Sequence, residues 1–316
     1  MNSLTANHAR RSSFRPFCLI CGLLLIFAPQ ARAQLIYADS FSYPDGPIET
    51  AAGSPWVWNY FPTNQISVVS GRLLLTETNQ PSIRYDFPQT FSAGALYARM
   101  VVNVSRLPSG NGNFFAFFRV INVDNLRGRI WVATNGAASG TFRLGATTIF
   151  YPPTLIAQDL YPGTNYTLVL RYSIADNHTT LWLNPSSEDD TANRVDDLTD
   201  VGLANIGHFG FAQPITSGTQ SDIGNLTVDD LRIGRSFEEV MPSVAFKSIS
   251  NSVAGVISLR ASGQATSNYV FQATTNLGSA NWVNLSTNAA STNGSFNLSD
   301  TNATNFSSRF YRLQRQ

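Results

Sequence analysis

Tyr166-Thr167-Leu168-Val169-Leu170-Arg171-Tyr172-Ser173-Ile174 is the stretch that decides the fold. Its large apolar side chains at Tyr166, Leu168, Leu170, Tyr172 and Ile174 recur at every second position, so a β-strand puts them all on one face. Asp176-Asn177-His178 follows as a turn-forming triplet, and a second run from Thr179 to Leu183 completes a hairpin. Upstream, Leu96, Ala98, Met100, Val102 and Val104 repeat the alternation. The same signal predicts strands over 65–69, 72–76, 82–87, 114–121, 129–134, 141–147, 208–212 and 226–233, while hardly any stretch has a helical period. So many short strands over some two hundred residues predict an all-β fold, a two-sheet sandwich closed at its edges.

The pattern changes near Glu238-Glu239-Val240-Met241-Pro242-Ser243, a short charged segment with a proline. Strands predicted beyond it over 244–249, 254–261, 269–273, 282–285, 295–298 and 309–313 have the spacing of a small immunoglobulin-like β-sandwich, without paired cysteines. At the other end, Arg10, Arg11 and Arg15 precede an apolar run from Phe17 to Ala28, and Ala31-Arg32-Ala33 follows. A basic start, an apolar centre and a small-x-small exit make a signal peptide cleaved before Gln34. That run is shorter than the roughly 20 apolar residues a spanning helix needs. The expected organisation is therefore a leader over 1–33, a large sandwich over 34–241 and a small one over 242–316, in a secreted, extracellular or cell-surface protein with no membrane span in its mature chain.

Both cysteines, Cys18 and Cys21, belong to the leader, so the exported chain must be stabilised by core burial without disulfides. The leader also takes four of the 21 basic residues and none of the 20 acidic ones, which leaves the remainder net acidic and argues against nucleic acid as a partner. Lys247 is the only lysine. Surface polarity then falls to Asn, Thr, Ser and Gln, groups that hydrogen-bond to uncharged polymers such as sugars.

Three segments carry a family resemblance. They are Asp39-Ser40-Phe41-Ser42-Tyr43-Pro44-Asp45-Gly46 with Gly53-Ser54-Pro55-Trp56; the hairpin through Leu181-Trp182-Leu183-Asn184-Pro185; and Val228-Asp229-Asp230-Leu231-Arg232-Ile233-Gly234. In this order they resemble the concanavalin A-like lectin and glucanase superfamily, in the laminin G-like form common in secreted bacterial proteins, over about residues 35 to 240. The resemblance implies a jelly roll. The tail resembles a module found at the ends of such proteins, through 269–277, Trp282 and Arg309-Phe310-Tyr311-Arg312-Leu313. Retaining glucanases of the superfamily place two glutamates on one face of one strand, about 5–5.5 Å apart. Here Glu49, Glu77, Glu188, Glu238 and Glu239 form no such array, and His178 and His208 read as turn and strand-surface residues, so no catalytic residue is assigned.

Two groups remain as site candidates. Glu188, Asp189, Asp190, Asp196 and Asp197 crowd an acidic segment over 184–205; read as a loop, it has the carboxylates to hold calcium, which takes six to eight oxygen ligands, or to be simply solvated. Trp58, Tyr60 and Phe61 stand close together in a proline-flanked segment, where exposed rings make a platform for the apolar face of a sugar or a lid over the core. Trp56, Trp131 and Trp182 read as packing residues. The expected function is a secreted, non-catalytic carbohydrate-binding (lectin-like) or adhesion protein whose partner is an extracellular glycan or surface polymer; the alternatives are a polysaccharide-degrading enzyme of the same fold and a structural surface protein.

Overall fold

The computed structural model describes residues 35–60, 66–76, 81–123, 125–149, 152–199, 202, 204–214, 222–241, 244–251, 256–263, 267–278, 281–291 and 294–315, the side chains of 60 and 315 excepted. Residues 1–34, which include the segment expected to be a leader, lie outside these. Among the described residues no helix is long and apolar enough to cross a membrane.

The chain is almost entirely β, with two large antiparallel sheets stacked as a jelly-roll sandwich. A nine-stranded sheet runs Arg194–Asp197, His178–Leu183, Asn165–Ser173, Ala95–Arg106, Asn225–Gly234, Arg72–Leu75, Ser67–Val69 and Gly46–Pro47, with Tyr37–Asp39 also paired to Asn225–Gly234. Facing it, a seven-stranded sheet runs Thr154–Leu155, Arg143–Thr147, Leu126–Ala133, Asn113–Val120, Ile206–Ala212, Ser82–Phe91 and Val57–Tyr60. The hairpin read from the sequence pairs Leu168 with Leu183 and Ser173 with His178, and Asn177 takes the left-handed turn position that asparagine tolerates (φ 49°).

Alternation sorts the faces as expected. Leu168, Leu170, Tyr172, Met100, Val102, Val104, Ile130, Val132, Phe209 and Phe211 are buried in one cluster between the sheets. Val169 and Trp182, one position out of phase, are buried on the outer face of the nine-stranded sheet instead. Phe237 and Val240 cover them from the short helical turn Phe237–Val240, whose amide at Glu239 donates to the Ser236 hydroxyl at 3.3 Å. The Trp182 and Phe237 rings meet edge to face, 5.9 Å apart.

Beyond residue 244, Ala245–Asn251, Ile257–Ser262 and Ser295–Asp300 form one three-stranded sheet, and Val283–Ala289, Asn268–Thr274 and Phe310–Arg315 form another. Leu259, Ala261, Tyr269, Phe271, Ala290, Phe296 and Leu298 make a core of their own between them. Among the described residues, no strand pairing or backbone hydrogen bond joins the chain up to Met241 with the chain from Val244 onward. A fragment 34–241 retains the Phe237 and Val240 plug, so it should fold alone, with a β-type circular dichroism spectrum and one cooperative melt. An unfolded fragment would show that the tail completes a shared core.

Candidate functional site

The outer face of the seven-stranded sheet collects the chemistry. On the strand Ser82–Phe91, Ile83 packs in the core, so Arg84 and Asp86 share the opposite face. Register sets Asp86 opposite His208 and His208 opposite Arg119, one row across three neighbouring strands. Arg84, Gly210 and Phe117 form the next row. Asp86 Oδ1 accepts from Arg84 Nε and from His208 Nδ1, both at 2.7 Å. A carboxylate can only accept, so Nδ1 carries the proton and Nε2 is left as an acceptor. Burial holds the imidazole below its ordinary pKa, against the opposing pull of Asp86, and the ring is neutral at neutral pH.

Farther along the same face, Arg129 lies over the Phe114 ring at 4.8 Å, and Phe114 meets Trp131 and Phe117 edge to face at 5.8 and 6.1 Å. Trp131 is fully buried, as its packing role required, but outside the cluster between the sheets; its indole N–H donates to Thr147 Oγ1 at 3.0 Å. Gly210 is needed here for space: a Cβ would come within 2.5 Å of the Ile83 carbonyl and 2.7 Å of the Phe117 ring. Its absence lets Phe117 lie down across the sheet.

Of the sequence-derived platform, Trp58 stands in the edge strand Val57–Tyr60 with 55% of its surface exposed. It pairs with Ile83, placing it at the rim of the sandwich, and its carbonyl accepts from Arg84 Nη1 at 3.0 Å. Tyr60 ends that strand, its side chain lying outside the description, and Phe61 lies outside the described residues. Trp56, two residues before Trp58, is 1% exposed and part of the core.

The acidic segment departs from the loop expected for it. Arg194–Asp197 is a strand, paired to the run from Thr179 to Trp182, and pleating turns the Asp196 and Asp197 side chains to opposite faces. Asp196 faces His178 Nε2 at 3.0 Å and accepts from Thr180 and Arg194. Burial alone would raise its pKa, but these partners outweigh it and hold the carboxyl below the usual range. Asp197 accepts from the Thr148 amide and the Thr199 hydroxyl, and Asp190 from the amide of Ala192. Glu188 reaches across to the Tyr97 hydroxyl at 2.6 Å and Arg171 at 3.5 Å, while Asp189 is exposed. Calcium would need these oxygens to converge, and they diverge to different partners; among the described residues no three metal-ligating side chains come together.

The motif residues of the other segments are spent on architecture. Asp39 is buried and accepts four hydrogen bonds, from Tyr37, Tyr43, Trp56 and the Phe41 amide. Asp230 stands at a bulge of Asn225–Gly234 and pairs with Arg99, whose side chain is 1% exposed. Sequence reasoning missed the Arg84, Asp86 and Arg119 group. The i, i+2 spacing of Arg84 and Asp86 was the available signal, whereas their meeting with His208 and Arg119 depends on strands far apart in the chain.

No protein-family model and no curated relative matches the chain. Solved structures similar to it include the carbohydrate recognition domain of Emp47p, 13% identical over 62% of this chain and 96% of that one, with a TM-score of 0.39. The exoplasmic/lumenal domain of VIP36 in a Ca2+/Man-bound form is 13% identical over 63% and 90%, with a TM-score of 0.40. Rv0315, a pseudo beta-1,3-glucanase of Mycobacterium tuberculosis, is 12% identical over 64% and 99%, with a TM-score of 0.41. The likeness is one of sheet architecture.

Proposed function

We propose that the large sandwich is a non-catalytic carbohydrate-binding domain of an exported protein whose mature chain starts at Gln34, with the small sandwich as a spacer or anchor. One observation carries the reading: Trp58, a large apolar side chain on an edge strand, is 55% exposed at the rim of the sandwich. An exposed indole costs the folded chain apolar burial, and the apolar face of a sugar ring supplies that burial. Tyr60 and Phe61 continue the same segment.

The test is a glycan-array screen of the mature protein followed by titration calorimetry on the best ligand. Trp58→Ala should weaken binding by about 1–3 kcal/mol, the scale of a buried aromatic contact, with an unchanged melting temperature. Release of reducing ends from a polysaccharide panel would replace this reading by the enzymatic one, and no retained glycan at millimolar concentration would replace it by the structural one.

A further inference from the structure

The small sandwich carries an exposed ring that its own core does not use. Phe306 follows the short turn Ala303–Asn305 with 42% of its surface exposed, and neither it nor Val283, 60% exposed, packs against the core of that sandwich. The ring is nonetheless held in place. Arg309 lies over it at 4.2 Å, and Asp300, whose side chain is 3% exposed, pins Arg309 by accepting from Nη1 at 3.2 Å (Oδ1) and 2.9 Å (Oδ2). Tyr311 Oη and the Asn302 amide, each at 3.0 Å, fix the same carboxylate. Beside the ring is a groove of about 330 Å³ whose lining includes Thr274, Thr275, Asn276, Val283, Phe306 and Arg309. Register brings these strand ends together, since Ala273 pairs with both Val283 and Tyr311, and Thr274 with Phe310. The groove is neutral: Arg309 is the one charged residue in its lining, and Asp300 matches it. Thr274 Oγ1 accepts from the Asn276 amide at 3.2 Å and Asn276 Oδ1 from the Gly278 amide at 2.9 Å, which locks the turn. That leaves the Asn276 side-chain NH2 and the Thr275 hydroxyl, both on exposed residues, to meet a ligand.

We propose that this groove is a second carbohydrate site, on the small sandwich, which takes a neutral pyranose unit with its apolar CH face on Phe306 and its hydroxyls on Thr275 and Asn276. A β-linked glucose unit suits it, because equatorial hydroxyls leave the CH bonds gathered on flat ring faces. Arg309 and Asp300 have already fixed the ring, so binding orders little more of the protein. An acidic chain would find no unmatched cation here. An apolar peptide would strip water from Thr275 and Asn276 without replacing its hydrogen bonds. The site stands apart from Trp58 and does not rest on the reading of the large sandwich.

The experiment titrates cellohexaose and laminarihexaose, two neutral β-glucan hexamers, into the chain 34–316 carrying Trp58→Ala, which silences the rim of the large sandwich. At least one hexamer should bind, with an affinity that about 0.5 M salt leaves within roughly twofold, as uncharged contacts do. Phe306→Ala in that background should cost at least about tenfold, and Thr275→Val several-fold. Phe306 lies outside the core and Thr275 is exposed, so both variants should fold, and circular dichroism checks each. Affinity unchanged by Phe306→Ala, or no heat from either hexamer at millimolar concentration, would overturn the proposal. Binding of the apolar dye anilinonaphthalene sulfonate that Phe306→Ala removes, with neither hexamer bound, would overturn it in favour of a bare apolar patch. The chain with Trp58 intact separates the two readings: if it and the Trp58→Ala chain bind a hexamer equally, the large-sandwich reading fails for that glycan and this site stands.

Discussion

Asp230→Ala should lower the stability of the large sandwich by about 3 kcal/mol, a fall of roughly 6–12 °C in melting temperature for a domain of this size. Arg99 projects from Ala95–Arg106 onto the outer face of the nine-stranded sheet and is fully buried there. Its guanidinium pairs with the Asp230 carboxylate and donates to the Asp230 carbonyl at 3.0 Å, and Arg232 approaches the other carboxylate oxygen at 3.5 Å. A bulge between Asp229 and Arg232 makes this reach available by placing Asp230 in the left-handed region (φ 51°). Alanine removes the counter-charge of a desolvated cation and also fits that backbone poorly. Asp230→Asn keeps the left-handed preference and loses only the charge, so it should be the milder variant. Denaturant unfolding followed by circular dichroism measures both; a loss below about 1 kcal/mol for alanine would mean that the neighbouring Asp229 replaces the lost charge.

Asp39 supports the second large expectation, about 3–5 kcal/mol lost in Asp39→Ala. Four donors converge on this one carboxylate: Tyr37 Oη at 2.6 Å, Tyr43 Oη at 2.9 Å, Trp56 Nε1 at 2.7 Å and the Phe41 amide at 2.7 Å. Trp56 is buried against Phe41 and Phe211, so its N–H has no route to water once the acceptor is gone. Phe41 sits at a left-handed φ of 49°, a conformation costly for a phenyl side chain and pinned here by its amide bond to Asp39. Asparagine should rescue little, in contrast to position 230, because its NH2 would confront an N–H whichever oxygen it replaces, Trp56 Nε1 at Oδ2 or the Phe41 amide at Oδ1.

The same cluster sets an alkaline limit. Burial, reinforced by the Asp39 carboxylate, pushes the Tyr43 phenol up to about 12 and the Tyr37 phenol higher still. In the unfolded chain both ionise near the ordinary value of 10.0, so unfolding releases protons and stability falls as the pH rises from about 10 toward 12. Asp39→Ala should flatten that slope, and melting temperatures at pH 9 and 11 for the two proteins read it directly.

Strand after strand of the central sheets was legible because alternation over five or more residues carries the signal, as from Tyr166 to Ile174 and from Leu96 to Val104. The short edge strands were not. Gly46–Pro47 and Thr154–Leu155 have two residues each, too few for any period, and they are strands only because a neighbour offers hydrogen bonds. Arg194–Asp197 has one apolar residue, Val195, and its carboxylates disguised it as a solvated loop. Trp131 and Trp182 were legible as buried, but period-two patterning assigns a residue to a face without saying what covers that face. Phe237, far along the chain, is what buries Trp182.

The amino-acid sequence by itself determined that this is a β-protein, which side chains share a strand face, and where along the chain the residue pattern changes. These are local properties, written in period, turn residues and composition. Only the tertiary structure decided that Arg119, His208 and Asp86 form one row, that Asp39 gathers Trp56 with Tyr37 and Tyr43, and that Asp196 and Asp197 turn apart. The row depends on register between strands distant in the chain, where a shift of a single residue would send its side chains to the other face; the Asp39 group depends on Trp56 folding back onto it, and the parting of Asp196 and Asp197 on their segment finding the run from Thr179 to Trp182 to pair with.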